Sequence, residues 1–242
     1  MPPNPNEAIL DLREFANSRE LPIPDYLEQL YWWAYVRPNA VRVFDRKWLI
    51  NAILFGNYGR LRDVALNELG ETIQGKTLQV ACVYGDLTAC LRQRMAPAAL
   101  LDVVDILPVQ LENLQRKLPA DRRVALRRGD ASSLPSAEAQ YDQVLLFFLL
   151  HEMPEDVRRA TLGEAMRVLK PGGKLVIIDY HRPVRFHPLR PLMSQVFRHL
   201  EPYAFDIWDH EIAHFIPSAI KPATILKQSF FGGLYQKLVL TR

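Results

Sequence analysis

The chain has 242 residues, 49% of them hydrophobic and 24% charged, with a net charge of only +3. This is the composition of a soluble globular protein: one large domain, or one domain with an added cap. The small charge, with no packed run of Lys and Arg, argues against a nucleic-acid binder, and the two cysteines, Cys82 and Cys90, exclude a disulfide framework or Cys-rich metal site and fit a reducing cytoplasm.

Residues 1–6 are rich in Pro and Asn and read as a loose terminus, with no basic stretch leading into an apolar one, so no secretion signal is expected. The longest apolar run, Val144–Leu150, is too short to span a bilayer. Glu7–Ser18 predicts a short helix, Tyr26–Val36 an aromatic helix with two apolar faces, and Val41–Leu69 one or two further helices with a break at Gly56. No strong strand occurs in this stretch. Residues 1–70 are expected to form a helical cap over the carboxyl edge of a sheet that begins afterwards.

From Thr77 the pattern alternates. Strands are expected at Leu78–Val83, Ala99–Val104, Val124–Arg127, Tyr141–Leu149 and Lys174–Asp179. Helices are expected at Leu87–Arg94, Pro108–Lys117 and Pro154–Leu169, with Pro171-Gly172-Gly173 as a turn. Such alternation predicts an α/β fold, Rossmann-like, with a mainly parallel sheet and helices on both faces, over residues 71–242. The rhythm fails at 181–224, which reads as an insertion over the site with a helix near Leu189–Leu200. Phe230–Thr241 returns to strand character, and Gly232-Gly233 fits a hairpin joining two final strands.

In such sheets the ligand lies beyond the carboxyl ends of the strands. Asp86, Asp105, Asp130 and Asp179 fall there, with His151-Glu152 just past the fourth strand. The apolar run into Tyr84-Gly85-Asp86 and a helix is a strand–turn–helix of nucleotide-binding kind, with backbone N–H groups at the helix start. Asp105 stands where a carboxylate accepts both hydroxyls of a ribose. Asp130 either accepts an adenine amino group or caps the turn at Ala131–Leu134. Tyr58 either reaches the cofactor from the preceding helices or is a packed aromatic.

On these residues Thr77 to Asp179 resembles a class I S-adenosylmethionine-dependent methyltransferase domain. The segments that carry the likeness are VACVYGD, the acid in LLDVVD, GDASSLP, YDQVLLFFLLHEM and RVLKPGGKLVIIDY. FDRKWLINAILFGNYGRLRDVAL, HRPVRFHPLRPL and SFFGGLYQKLVL extend the resemblance to the ubiquinone and menaquinone C-methyltransferases. The chain departs from that family at its glycine loop. An acid followed by three alternate glycines is usual, whereas Ala81 and Val83 stand with Gly85 at the glycine positions here. The side chains crowd the space for the methionine part of the cofactor, and Asp86 adds a negative charge. VYGDLT, with WAYVRPNAVRVFDRKWL and GNYGRL, is similar to the rhodoquinone biosynthesis enzymes, a divergent branch of the superfamily. That likeness implies conversion of ubiquinone to rhodoquinone, a ring methoxy group giving way to amino, with S-adenosylmethionine as nitrogen donor and manganese assisting.

The expected cofactor-binding set is Tyr58, Val83, Tyr84, Gly85, Asp105, Asp130 and Ala131. Asp86, His151 and Glu152 are the expected catalytic residues, and the carboxylates and imidazole that a hard cation such as manganese would take. Histidine is the natural proton carrier near neutral pH. His210–His214 reads HEIAH, a zinc-protease pattern when it lies on a helix, but its place after a nucleotide-type sheet disfavours that reading. Aromatics in Tyr26–Tyr35 and Ile207–Phe215 either line an apolar channel for a quinone tail or pack in the core. Arg182, Arg185, Arg190 and Arg198 either meet anionic lipid heads or form a solvated face. The expected partners are ubiquinone and, peripherally, the inner face of the membrane, with the protein cytoplasmic. Two alternatives stand beside aminotransfer: an ordinary methyltransferase acting on a quinone or phenol, and a non-catalytic binding protein.

Overall fold

The computed structural model describes residues 21–32 and 38–242, with 38–40 described by their backbone. The helix expected over Glu7–Ser18 and the end of the one expected over Tyr26–Val36 lie outside these residues. Among the described residues four helices precede the sheet: α1 (Asp25–Leu30), α2 (Pro38–Phe44), α3 (Lys47–Ile53) and α4 (Tyr58–Leu69). The break between α3 and α4 falls at Gly56, whose φ of 80° suits glycine.

The sheet holds β1 (Lys76–Val80), β2 (Leu100–Asp105), β3 (Val124–Arg128), β4 (Tyr141–Phe147), β5 (Leu169–Tyr180), β6 (Thr224–Phe230) and β7 (Tyr235–Thr241). Their spatial order is β3-β2-β1-β4-β5-β7-β6. The first five are mutually parallel, and β7 runs antiparallel between β5 and β6. Between the strands lie α5 (Leu87–Arg94), α6 (Pro108–Lys117) and α7 (Glu155–Val168), then α8 (Arg190–His199) and α9 (Ala204–Asp209). The mixed α/β architecture expected of the sequence is therefore present.

Alternation along the strands explains why both faces are covered. Leu101, Val103, Leu145, Phe147, Val176 and Ile178 point into one core with α4, α5 and α6. Their neighbours Val104, Val144, Leu146, Leu175 and Ile177 point into the other, with Leu162, Ala165 and Met166 of α7. A strand buried on both faces has no room for a polar residue without a partner.

Several strand ends differ from expectation by a residue or two, and β5 begins at Leu169, running through the Pro171-Gly172-Gly173 segment expected as a turn. β1 stops at Val80 because Ala81 takes a φ of 71°. The Ala81 N–H donates to the Val104 carbonyl (2.7 Å), and its own carbonyl accepts from Gln79 Nε2 (3.0 Å). Such a φ costs a non-glycine residue about 1–2 kcal/mol, which these bonds oppose. β4 likewise ends at Phe147, before Phe148 with φ 53°. β6 begins at Thr224, the last residue of the expected insertion and well before the strand start expected at Phe230, and the hairpin turns through Gly232 and Gly233 at φ 61° and 86°.

The start of α5 is closed by a side chain from far upstream. The Tyr58 hydroxyl accepts from the N–H groups of Asp86 (2.8 Å) and Leu87 (3.1 Å), and donates to Asp86 Oδ1 (3.1 Å). A Cβ on Gly85 would overlap that hydroxyl, and Gly85 has a φ of 89°, so glycine is required there on two counts. Tyr58→Phe keeps the ring and strands both N–H donors. The expected loss is about 1–3 kcal/mol of unfolding free energy, read by urea titration with the slope unchanged. An unchanged midpoint would show that the hydroxyl does not support the turn.

Candidate active site

A cavity of about 550 Å³ opens at the carboxyl ends of β1, β2 and β4. Its walls come from α3 and α4 on one side and from Met193, Val196, Leu200 and Glu201 on the other. Of the residues expected at a cofactor, Tyr58, Val83, Tyr84, Asp105, Asp130 and Ala131 line it. Gly85 does not; it lies behind Tyr58.

Asp105 ends β2 and is buried. Its two oxygens accept from the backbone N–H groups of Cys82 (2.6 Å) and Leu107 (2.8 Å). Burial outweighs these bonds and pushes its carboxyl up to about 6. Asp130 accepts from the backbone N–H (2.8 Å) and hydroxyl (2.7 Å) of Ser132, so it does cap its turn while facing the cavity. Two carboxylates at adjacent strand ends, beside the apolar Ile106 and Leu107, are a donor set that fits a nucleoside: hydroxyls and an amino group for the acids, a ring for the apolar wall.

The loop between β1 and α5 is fastened from outside. Asp45 accepts from the Gly85 N–H (3.0 Å) and from Lys117 Nζ (2.6 Å), and Lys117 also donates to the Gly85 carbonyl (2.9 Å). Asp86 binds Lys47 Nζ and Arg62 Nη1, each at 2.7 Å. Burial works against its charge, but the hydrogen bonds from Lys47 and Arg62 win and hold it down to about 2. Asp86 is thus a neutralised anion committed to α3 and α4, and it is not among the cavity residues. Val83 and Tyr84 are, and the Tyr84 ring stacks on Phe44 at 6.3 Å.

The opposite end of the cavity carries His151 and Glu152 on a 3-10 turn (Leu150–Glu152) that follows β4. His151 Nδ1 donates to Asp179 Oδ1 at 2.8 Å. Asp179 is fully buried in β5 and also accepts from the N–H groups of Leu150 (2.9 Å) and Tyr180 (2.7 Å). His151 Nε2 is left toward the cavity, 3.7 Å from Glu152 Oε1 and 3.9 Å from Glu201 Oε2. Burial alone favours the neutral ring, but the charge and hydrogen bond of Asp179, with Glu201 and Glu152 behind them, push His151 up to about 9. At neutral pH it is an imidazolium, a proton donor rather than an acceptor.

Arg158 of α7 locks this turn. Its fully buried guanidinium donates to the carbonyls of Leu150 (2.9 Å), Met153 (2.7 Å) and Tyr203 (2.9 Å), and to Asp206 Oδ2 (3.1 Å). It ties the turn to the segment that presents Glu201.

Several expectations need correction. Among the described residues no three of His, Cys, Asp or Glu are grouped so as to hold a metal ion. Asp86, His151 and Glu152 therefore do not form the expected manganese set, because Lys47 and Arg62 take Asp86 away. HEIAH is not helical. His210 follows α9, and residues 212–215 make a separate 3-10 turn. Glu211 pairs with Lys227, and the two histidine rings stack at 4.6 Å. Of the aromatic stretches, Tyr26 lines the cavity, while Ile207, Trp208 and Phe215 pack in the cores. Asp179, Arg158 and Glu201 stood outside the candidate set. Asp179 carried a signal, an acid at a strand end; Glu201, one residue past a helical stretch, carried none.

Residues 77–173 match the family described as Methyltransferase domain. Demethylmenaquinone methyltransferase from Staphylococcus aureus is 31% identical over 145 residues, which is 60% of this chain. The chain spans 58% of the length of that relative. Among solved structures, geranyl diphosphate C-methyltransferase from Streptomyces coelicolor A3(2), crystallised with Mg2+, a substrate analogue and S-adenosyl-L-homocysteine, superposes with a TM-score of 0.61 at 15% identity. That match covers 91% of this chain and 98% of that one. A SAM-dependent methyltransferase from Aquifex aeolicus gives a TM-score of 0.55 at 17% identity, over 85% and 98% of the two chains. Residues 77–173 thus match a methyltransferase domain, and the sheet built on them has the fold of the solved S-adenosylmethionine-dependent methyltransferases.

Proposed function

We propose that the chain is an S-adenosylmethionine-dependent transferase acting on a lipid-soluble quinone, and that it exchanges a ring methoxy group of ubiquinone for amino, giving rhodoquinone. The observation that carries the reading is the fastened loop. Ala81 and Val83 stand at glycine positions, and the N–H groups that open α5 are spent on Tyr58. The space and donors that a methyl-donating pose would use are thus taken by the protein itself. In this reading S-adenosylmethionine, when bound, supplies the amino nitrogen. Asp105 and Asp130 hold its nucleoside, and the His151 imidazolium faces the ring, where it can hydrogen-bond a quinone oxygen and protonate departing methoxide. Helices before residue 70 cap the cavity, and residues 181–224 cover it.

The substrate is proposed to arrive by peripheral contact with the inner face of the membrane. Ile53 and Leu200 line the cavity and are also exposed, and Trp48 lies exposed on α3. Among the described residues no helix is long and apolar enough to cross a membrane. Manganese has no part in the steps proposed, since its expected ligands do not converge.

A second reading, methyl transfer to a quinone, is favoured by the likeness to demethylmenaquinone methyltransferase. Mass spectrometry of ubiquinone incubated with the protein separates the two. Cofactor carrying a heavy amino nitrogen should label the quinone; cofactor carrying a heavy methyl should not. A heavy methyl in the product would sink the aminotransfer reading, and neither label with binding intact would favour a non-catalytic protein.

His151→Gln removes the proton donor while keeping a polar side chain. Turnover is expected to fall by about 10²–10⁴ with cofactor affinity nearly unchanged. Asp105 should give cofactor binding a pH dependence of defined sign. Its carboxyl is raised to about 6, so it is charged above that pH and protonated below it. Affinity by calorimetry is expected to be flat above about pH 7 and to weaken roughly tenfold per pH unit once below about 6. An affinity that stays constant down to about pH 5 would remove Asp105 from the cofactor site.

A further inference from the structure

Glu201 sits just beyond the C-terminus of α8, in the segment that Arg158 clamps through the Tyr203 carbonyl and Asp206. Its side chain forms part of the cavity wall. Its Oε2 is buried, accepts no hydrogen bond, and lies 3.9 Å from His151 Nε2. A buried carboxylate oxygen without a donor costs free energy, and it points into the same space as the imidazole nitrogen.

We propose that Glu201 is the second acid–base group of the cavity, taking the proton from the attacking nitrogen while His151 gives one to the departing methoxide. The inference rests on the aminotransfer reading. The nitrogen lone pair forms the bond to the ring carbon, and the carbon–methoxy bond breaks with its electron pair on oxygen. The His151 Nε2 proton completes methanol, and Glu201 Oε2 takes the proton that the nitrogen sheds. Transfer of that proton from Glu201 to His151 restores both groups after the substitution, which leaves a secondary amine joining the ring to the cofactor's α-carbon. Release of the aminoquinone then breaks that nitrogen–carbon bond with its electron pair on nitrogen. One proton reaches the nitrogen and one leaves the cofactor's β-carbon, so the cofactor departs as an unsaturated acid.

The surroundings suit the two roles. Glu201 is faced by His151 and Asp179 at the ends of β4 and β5, by Tyr180 of β5, by Tyr235 of β7 and by Tyr31 after α1, with Glu152 on the far side of the His151 ring nitrogen. Burial raises its carboxyl, the His151 cation lowers it, and Asp179 raises it again, the net direction being up. Opposed environments for neighbouring groups are how one site holds an acid and a base together.

Three measurements test the pair. Glu201→Gln cannot accept a proton, and its transfer of heavy nitrogen to ubiquinone is expected to fall by about 100-fold or more, with Glu201→Asp restoring part of it. The rise of turnover with pH that reports the base in the wild type should flatten in Glu201→Gln. Without ligand, nitrogen NMR of the His151 ring should show its titration moving to lower pH in Glu201→Gln, because one neighbouring negative charge is gone. Heavy-nitrogen transfer within about threefold of wild type would overturn the role of Glu201 and leave aminotransfer standing. An unmoved His151 titration would also overturn it, whatever the turnover. A wild type that leaves ubiquinone free of heavy nitrogen would overturn both.

Discussion

The buried Asp179 carboxylate is the constraint on which the polar end of the fold depends. A charge removed from water must be met by donors, or it forces the chain to rearrange. Here two backbone N–H groups and one imidazole meet it. The first belongs to Leu150, so the chain leaving β4 must turn at once, and Phe148 takes its left-handed φ to allow this. The third is His151, whose ring is thereby set with Nε2 toward the cavity. On the other side of the same turn the buried guanidinium of Arg158 collects three carbonyls. An anion and a cation, neither exposed, hold one 3-10 turn between them, and that turn carries His151 and Glu152.

The cofactor end uses the opposite arrangement, with charges placed outside the loop rather than beneath it. Asp45 with Lys117, and Asp86 with Lys47 and Arg62, grip residues 85 and 86 from α3, α4, α6 and the chain after α2. Exposed ion pairs add little stability singly, but apart from the exposed Lys47 these groups are part-buried, and they are joined to backbone groups, which fixes geometry more than it adds energy. The helix N-terminus that would attract an anion is filled by the Tyr58 hydroxyl. A loop built this way does not adapt to its ligand; the ligand must take the pose the loop leaves open.

How much of this could be read from the sequence followed the range of the forces involved. The bounds expected for α5 and α6, Leu87–Arg94 and Pro108–Lys117, are those observed, because turn residues and a proline mark them locally. The strand core was equally legible from its apolar runs. The ends of β1 and β4 were not, since Ala81 and Phe148 leave the extended region under tertiary hydrogen bonds. Most of β6 was not legible before Phe230, because an edge strand exposed along most of its length has no apolar alternation to show. Asp86 looked like a ligand at the sheet edge, and only the fold reveals that Arg62, 24 residues earlier, claims it. Glu201 shows the same limit: its meaning comes from Arg158 and His151, both distant in sequence.

The distribution of charge in the finished cavity bears on what it can admit. Asp105, Asp130, Glu152 and Glu201 line it, and among the described residues that line it His151 is the one cationic group. In a site with mostly apolar walls that imbalance of charge favours a cationic ligand. A sulfonium cofactor is such a ligand. Had Asp86 faced the cavity as well, one more negative charge would need compensation. Its pairing with Lys47 and Arg62 leaves the acids at the strand ends and the His151 cation as the charges that face the cavity.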